Sequence, residues 1–270
     1  MNTVSVLAQA EGGGGGLHFP PMSELVEWRG ILFKDTPFEV NKVVLLMWVS
    51  AALVFLMFWV AGRAAAAGRL VPTGMQSVVE SGIEFVRNDI ILQTMGPAGL
   101  GWTPFLVTMF FFIFITNIWE IIPGIQFPVN ARMALPAFLA LLVWVIFNVV
   151  GIREQGLRGY FKSMLFPPGV PKPLLPLVAL IEFISTVFVR PFSLAVRLFA
   201  NMLAGHLLLV TFAVLCAALW TAKPVAVILP LPFAMLILLT AFEILVAVLQ
   251  AFIFTILAAV YIGGAMHPEH

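Results

Sequence analysis

Apolar residues fill five blocks of the chain, and the length of each block predicts how it crosses a membrane. The first three lie at about 42–62, 103–123 and 133–151, and each has about the 20 residues that a helix needs to span a bilayer core. The last two lie at about 174–219 and 225–263 and are roughly twice that length. Because neither has a Gly-rich or Asn-rich turn near its middle, we expect each to be one long, tilted helix. The pattern predicts an all-α integral membrane protein whose last two helices form a hairpin.

Polar sequence lies before and between these blocks. Residues 1–41 contain five acidic residues and the run Gly12 to Gly16, so we expect a polar N-terminal arm, followed by a single membrane domain at 42–270. Residues 63–102 mix polar and apolar positions at helical spacing, which is typical of a helix lying along the membrane surface. Basic residues are concentrated here and at 152–173, and the positive-inside rule then predicts an N-terminus outside the cell and a C-terminus in the cytoplasm.

The composition excludes several classes of protein. Hydrophobic residues make up 61% of the 270 residues, whereas soluble domains have about 45–50%. The net charge is +1 and the basic residues are scattered, so no surface favours nucleic acid. Cys216 is the single cysteine, and His206 is the one histidine within an apolar block. These residues exclude a disulfide framework and a Cys-rich or His-rich metal site, and we expect no metal and no other cofactor.

Polar and ionisable side chains interrupt the apolar blocks. A charge at mid-bilayer costs about 2.5–3.5 kcal/mol on insertion scales, so such residues usually face protein or water and mark an ion path. The candidates are Asn117, Glu120, Glu182, Arg190, Arg197, Asn201, His206, Glu243 and Gln250. At about 100° per residue, Asn201 lies near the helix face of Arg197, and His206 lies roughly opposite. Glu243 and Gln250 share a face of the last helix and would line one slot with His206, where an imidazole and a carboxylate relay protons.

Arg197 differs from the other candidates because its guanidinium stays protonated and cannot relay protons. It attracts a carboxylate, favours the ionised form of that carboxylate and repels cations. No free intramembrane carboxylate of the chain obviously pairs with it, so we expect its partner on another chain.

Simpler explanations exist for several of these residues. Arg190, next to Pro191, is more simply an interfacial residue than a functional one. Asn117 and Glu120, at a helix end, are as readily capping or headgroup-binding groups as channel residues. Gln250 is also explained as an interhelical hydrogen-bonding residue.

Four stretches of the sequence, between about residues 41 and 261, resemble one family. The strongest two read RPFSLAVRLFANMLAGH at 190–206 and EILVAVLQAFIFTILAAVY at 243–261. Supporting stretches read FITNIWEIIPG at 114–124 and VPTGMQSVVESGIEFV at 71–86. Together they resemble subunit a of the membrane sector (Fo) of bacterial-type F-type ATP synthase.

The resemblance implies a role for each of the central residues. Arg197 matches an essential arginine that faces carboxyl groups on a rotating ring of c subunits and separates two aqueous half-channels. Asn201 and Gln250 match polar positions beside that arginine. His206 and Glu243 match a coupled pair in the outer half-channel, and the two long helices would lie against the ring.

The resemblance also places three acidic or amide residues in the half-channels. Asn117 and Glu120 look like the family's Asn and acidic pair ahead of a proline in the second span. Glu182 resembles an acid of the inner half-channel, although it lies one residue further from Pro191 than in the family. The chain would then be a proton-translocating stator subunit and not an enzyme by itself. Its implied partners are a c ring, b-type subunits of a peripheral stalk, a soluble ATPase head and the lipid of a bacterial plasma membrane.

Two other functions fit parts of the sequence. A secondary transporter would use Arg197 to bind an anionic substrate, but such folds commonly contain internal repeats, and no convincing repeat relates the two halves of this chain. An intramembrane enzyme would need a motif such as Gly-x-Ser-x-Gly or HExxH, and neither is present. The sequence favours H+ over Na+ as the coupling ion without deciding between them, and it does not give the size of the ring.

Overall fold

The computed structural model describes residues 40–66, 74–122, 125, 127, 129–165, 172–221 and 225–266. Five helical stretches are long and apolar enough to cross a membrane: Lys42–Ala66, Pro97–Ile118, Ala134–Ser163, Leu175–Trp220 and Ala226–Met266. The prediction of an all-α membrane protein is thus confirmed for this part of the chain. Most of the predicted N-terminal arm lies outside the described residues.

The first half of the chain contains two long helices and a set of short ones between them. In order these are α1 (Lys42–Ala66), α2 (Met75–Phe85), a π-helix (Val86–Ile91), α3 (Leu92–Thr94), a 3-10 helix (Pro97–Trp102) and α4 (Thr103–Ile118). Gly74 and Gly96 precede α2 and the 3-10 helix with φ of 60° and 66°, a left-handed conformation that glycine adopts at little cost. The helix α4 ends before residue 123, where it was predicted to end.

The second half contains the longest helices. In order these are α5 (Ala134–Leu165), a 3-10 helix (Lys172–Leu174), α6 (Leu175–Ile184), a π-helix (Ser185–Val189), α7 (Arg190–Thr221), a 3-10 helix (Val225–Ile228) and α8 (Pro230–Met266). The stretch Leu175–Trp220 is 46 residues of continuous helix, which agrees with the prediction of one long helix. The π-helix within it accommodates one extra residue and does not interrupt the stretch.

The third membrane helix continues past Gly151, where the sequence predicted its end. Gly151 is a packing residue, because a Cβ atom at this position would overlap the ring of Tyr160. The helical geometry of α5 is instead broken at Gly156, with φ 71° and ψ 160°, and a second helical piece follows it. Tyr160 on that piece folds back and donates a hydrogen bond from its hydroxyl to Asn148 Oδ1 at 2.8 Å. The basic segment at 152–173, which the sequence predicts as a Pro-rich loop, is therefore helical in its first part.

Contacts between Cα atoms divide the chain into two compact units. The first unit comprises Met1–Ala52, Ile113–Arg132 and Phe199–Gln250, and the second comprises Leu53–Phe112, Met133–Leu198 and Ala251–His270. Buried residues of the first include Leu46, Ile113, Phe127, Val129 and Met202. Buried residues of the second include Val86, Ile90, Leu106, Phe254 and Ile262. Each unit therefore has its own apolar core.

Candidate functional site

Three ionisable side chains are buried together in the first unit. Glu120 Oε1 lies 3.6 Å from His206 Nδ1, and their side chains are 2% and 9% exposed. This is a close electrostatic contact but is too long for a hydrogen bond. Glu243 is buried as well and interacts electrostatically with Glu120. The turn after α4, α7 and α8 each supply one protonatable group to this acidic cluster of Glu120, His206 and Glu243.

A glycine creates the space for one of these carboxylates. A Cβ atom at Gly205 would lie 2.5–2.6 Å from three atoms of the Glu243 carboxylate. Because real Cβ atoms essentially never approach other atoms so closely, the Glu243 carboxylate lies where only a glycine leaves room for it. His206 is the next residue along α7. The absence of a side chain at Gly205 therefore lets the Glu243 carboxylate approach the surface of α7 next to His206. The sequence analysis did not single out this glycine.

An amide network lies next to Glu120 in the chain. Asn130 Nδ2 donates to Asn117 Oδ1 at 2.7 Å and to Thr116 Oγ1 at 2.9 Å. All three side chains are buried, with exposed fractions of 0–3%. Asn117 is therefore a buried, hydrogen-bonded residue and not a headgroup-binding group. Asn130 was not among the predicted candidates; its apolar neighbours Val129 and Ala131 were the available signal.

A hydrogen bond joins the two long helices at the level of Asn201. Asn201 Nδ2 donates to Gln250 Oε1 at 2.9 Å, and Gln250 is 3% exposed. Gln250 is therefore hydrogen-bonded to Asn201, which lies one turn after Arg197 on α7. The helical spacing had instead predicted that Gln250 lines the same slot as His206. Gln250 Nε2 is buried and has no hydrogen-bond partner among the described residues.

A second ion pair lies in the other unit. Arg190 Nη2 lies 3.9 Å from Glu182 Oε2, and both side chains are partly exposed. The guanidinium carbon of Arg190 also lies 5.5 Å from the centre of the Tyr261 ring, which is within the range of a cation–π contact. Arg190 therefore contacts both an acidic candidate residue and the last helix, and the simpler explanation of an interfacial arginine is incomplete. Partly exposed ion pairs contribute little to stability, so this contact mainly fixes side-chain positions.

Arg197 is partly exposed near the middle of the 46-residue stretch Leu175–Trp220. Within the part of the chain that the structure describes, the Arg197 side chain forms no hydrogen bond and no ion pair. In the most apolar 18 residues of this stretch, 17% of the residues are buried. This is the lowest share among the five membrane helices, and the corresponding share in Ala134–Ser163 is 44%. Among the five membrane helices, the helix that carries Arg197 therefore has the smallest share of buried residues in its most apolar part.

Comparison with known proteins identifies the family. A model described as ATP synthase A chain matches residues 44–263, which include every candidate site residue. The chain belongs to the ATP synthase A chain family. It is 43% identical over 245 residues to the ATP synthase subunit a of Frankia alni, covering 90% of this chain and 83% of that protein. The ATP synthase subunit a of Parafrankia sp. is 42% identical over 267 residues, with 98% and 89% covered.

A relative from a different genus gives a similar result. The ATP synthase subunit a of Nitrobacter winogradskyi is 42% identical over 225 residues, covering 83% of this chain and 87% of that protein. These matches confirm the family resemblance that the sequence motifs predicted. Membership of the ATP synthase A chain family and the five apolar helices together make this a multi-pass membrane protein.

Proposed function

We propose that this chain is the proton-translocating stator subunit of a rotary ATP synthase, and that Arg197 is the fixed cation facing the carboxyl groups of a rotating c ring. The family match and the names of the relatives support the role in ATP synthase. The observation that carries the assignment to Arg197 is its lack of any hydrogen-bond or ion-pair partner among the described residues, at the middle of the least buried membrane helix.

The energetics explain why a membrane helix would keep this arginine. A charge at mid-bilayer costs about 2.5–3.5 kcal/mol on insertion scales, and Arg197 cannot avoid the cost by losing its proton. A carboxylate on a neighbouring subunit offsets the cost, and the arginine in turn favours the ionised form of that carboxylate. Each ring carboxyl group must therefore release its proton before it passes Arg197 and bind another afterwards.

The same cation couples proton flow to rotation. Each charge that crosses the membrane releases about 2.3 kcal/mol per 100 mV. Arg197 repels protons and so prevents them from passing directly between the two half-channels, which would dissipate this energy without rotation. Protons instead cross the membrane while bound to the carboxyl groups of the ring, and the rotation of the ring drives ATP synthesis in the soluble head.

The buried acidic cluster is proposed to belong to the outer half-channel. Glu120, His206 and Glu243 supply two carboxyl groups and an imidazole at close range, and histidine is the side chain that most readily exchanges protons near neutral pH. The neighbouring Asn117 would line the path with a polar side chain whose position is held by its hydrogen bond with Asn130. A proton entering from outside would pass through this cluster to a ring carboxyl group.

Glu182 is proposed to line the inner half-channel. The π-helix Ser185–Val189 lies between Glu182 and Pro191 and accommodates one more residue than an α-helical turn. It therefore compensates for the one extra residue between Glu182 and Pro191, which supports the facing that the family resemblance implies. Arg190 holds the Glu182 carboxylate at 3.9 Å, and Asn201 and Gln250 form the polar contact one turn from Arg197.

The proposed assembly follows from the family. The chain would lie in a bacterial plasma membrane with its N-terminus outside and its C-terminus in the cytoplasm. Its partners would be the c ring, b-type subunits of the peripheral stalk and the soluble ATPase head. The coupling ion would be H+, consistent with a path made of protonatable groups.

An arginine replacement tests the proposal. The complex carrying Arg197→Ala should assemble and hydrolyse ATP but should not acidify inverted membrane vesicles when ATP is added. Arg158→Ala is the matched control, because Arg158 is exposed on the second helical piece of α5 and should leave acidification unchanged. Normal ATP-driven acidification by the Arg197→Ala complex would show that the proposal is wrong.

A further inference from the structure

Asn130 is a fully buried amide in the chain segment that follows α4, and neither the sequence motifs nor the family resemblance gives it a role. It lies in the 3-10 helix Val129–Ala131, and its exposed fraction is 0%. Its side-chain N–H2 group donates two hydrogen bonds, to Asn117 Oδ1 at 2.7 Å and to Thr116 Oγ1 at 2.9 Å. Both acceptors belong to the last turn of α4, immediately before the Glu120 turn.

The chemistry of this network fixes the orientation of each amide. The Thr116 hydroxyl donates its hydrogen to the Ile113 carbonyl at 2.9 Å, so towards Asn130 it acts only as an acceptor. Asn130 must therefore turn its N–H2 group to Thr116. The same N–H2 group also donates a hydrogen bond to Asn117, whose side-chain oxygen must therefore be the acceptor. Each orientation follows from the previous one, and the Asn117 amide cannot turn over without losing the 2.7 Å hydrogen bond.

Two further observations connect the network with proton transport. Asn130 Oδ1 and Glu120 Oε1 are both buried, and neither has a hydrogen-bond partner among the described residues. A buried acceptor without a donor is costly, so each of these oxygens favours a ligand that supplies a hydrogen. Hydronium or a protonated water chain is a ligand of that class, and it is what the proposed outer half-channel carries.

We propose that Asn130 is a positioning residue of the outer half-channel, which holds the Asn117 amide in one orientation so that its N–H2 group faces the proton path. This inference rests on the proposed function, because the path itself is assigned there. It predicts that Asn130 affects proton flux through Asn117 and not through the general stability of the loop.

A double-mutant cycle tests this inference. The measured quantity is passive proton flux per complex in liposomes containing the whole ATP synthase, normalised to its ATP hydrolysis rate. Asn130→Ala and Asn117→Ala should each lower the flux by about three- to tenfold, the factor that one net hydrogen bond represents. The double variant should lose no more than the worse single variant. If the two losses multiply, Asn130 does not act through Asn117 and the inference is wrong.

A control variant at another amide separates positioning from structural support. Asn148→Ala removes a partly buried amide with two hydrogen bonds, to Trp144 and Tyr160, and should leave the flux unchanged. An equal loss in Asn148→Ala and Asn130→Ala would mean that Asn130 only anchors the loop.

The remaining outcomes are also decisive. Asn130→Leu keeps the branched arrangement of side-chain heavy atoms without the two donors, and it replaces Asn130→Ala if that complex does not assemble. If neither variant assembles, Asn130 maintains the fold and the inference is wrong. If Arg197→Ala abolishes pumping while Asn130→Ala conducts normally, only the inference about Asn130 fails. If Arg197→Ala pumps normally, the proposed function itself fails.

Discussion

Replacing Gly205 by alanine should disable the proton path by moving one carboxylate. The new Cβ atom would lie 2.5 Å from the nearest carboxylate oxygen of Glu243, and ordinary van der Waals contact begins at 3.4 Å. The Glu243 carboxylate must therefore move by roughly 0.9 Å, the difference between these two distances. A misplacement of about 1 Å at a reacting group can lower a rate by about 100-fold. We expect proton flux through the Gly205→Ala complex to fall by about 10- to 100-fold.

The same substitution elsewhere on the last helix provides the control. Gly264 lies on α8, and a Cβ atom there would meet nothing within 4 Å. Gly264→Ala should leave flux unchanged, and the better helix propensity of alanine favours the variant by about 1 kcal/mol. Both variants are compared as passive proton flux and ATP-driven acidification per assembled complex. Wild-type flux in Gly205→Ala would refute the argument that the position of Glu243 is critical for conduction.

Two further predictions concern side chains in each of the two units. His206→Ala and Glu243→Ala should each slow proton flux without preventing assembly, since each removes one protonatable group from the path; unchanged flux in both would remove these residues from the proposed channel. Trp144→Phe removes the indole N–H that donates to the Thr186 carbonyl in the π-helix at 3.1 Å. Trp144→Phe should lower the free energy of unfolding of the chain in detergent by about 1 kcal/mol, the net contribution of one hydrogen bond, and should therefore lower its melting temperature. An unchanged melting temperature would count against this contact.

The sequence was sufficient to predict the membrane helices. Five apolar blocks correspond to five membrane helices, because block length is set by bilayer thickness and needs no knowledge of tertiary packing. Local exceptions came from packing and from backbone geometry. Gly151 resembled a helix end but accommodates the Tyr160 ring, and Gly156 is the residue with non-helical dihedral angles. The π-helix Ser185–Val189 was not predictable, since a single extra residue does not alter a uniformly apolar pattern.

Several candidate residues have partners that the sequence did not predict. Helical spacing gives the face of a residue on its own helix but does not give the depth or rotation of the neighbouring helix. His206 was expected to meet Glu243, and its 3.6 Å contact is with Glu120, which lies in a turn that no helical period describes. Asn130 was missed for the same reason, because its burial depends on how the segment between α4 and α5 folds back.

The central claim is that Arg197 finds its partner on other subunits, and the composition of the purified complex tests this most directly. Membranes containing this chain would be solubilised in mild detergent, and the complex that co-purifies with it would be analysed by native and denaturing mass spectrometry. We predict a ring of small subunits that each carry a buried carboxyl group, together with a membrane-anchored stalk and a soluble ATPase head. Recovery of the chain alone, or as a homo-oligomer, under conditions that preserve such assemblies would contradict the account and favour a self-contained anion transporter.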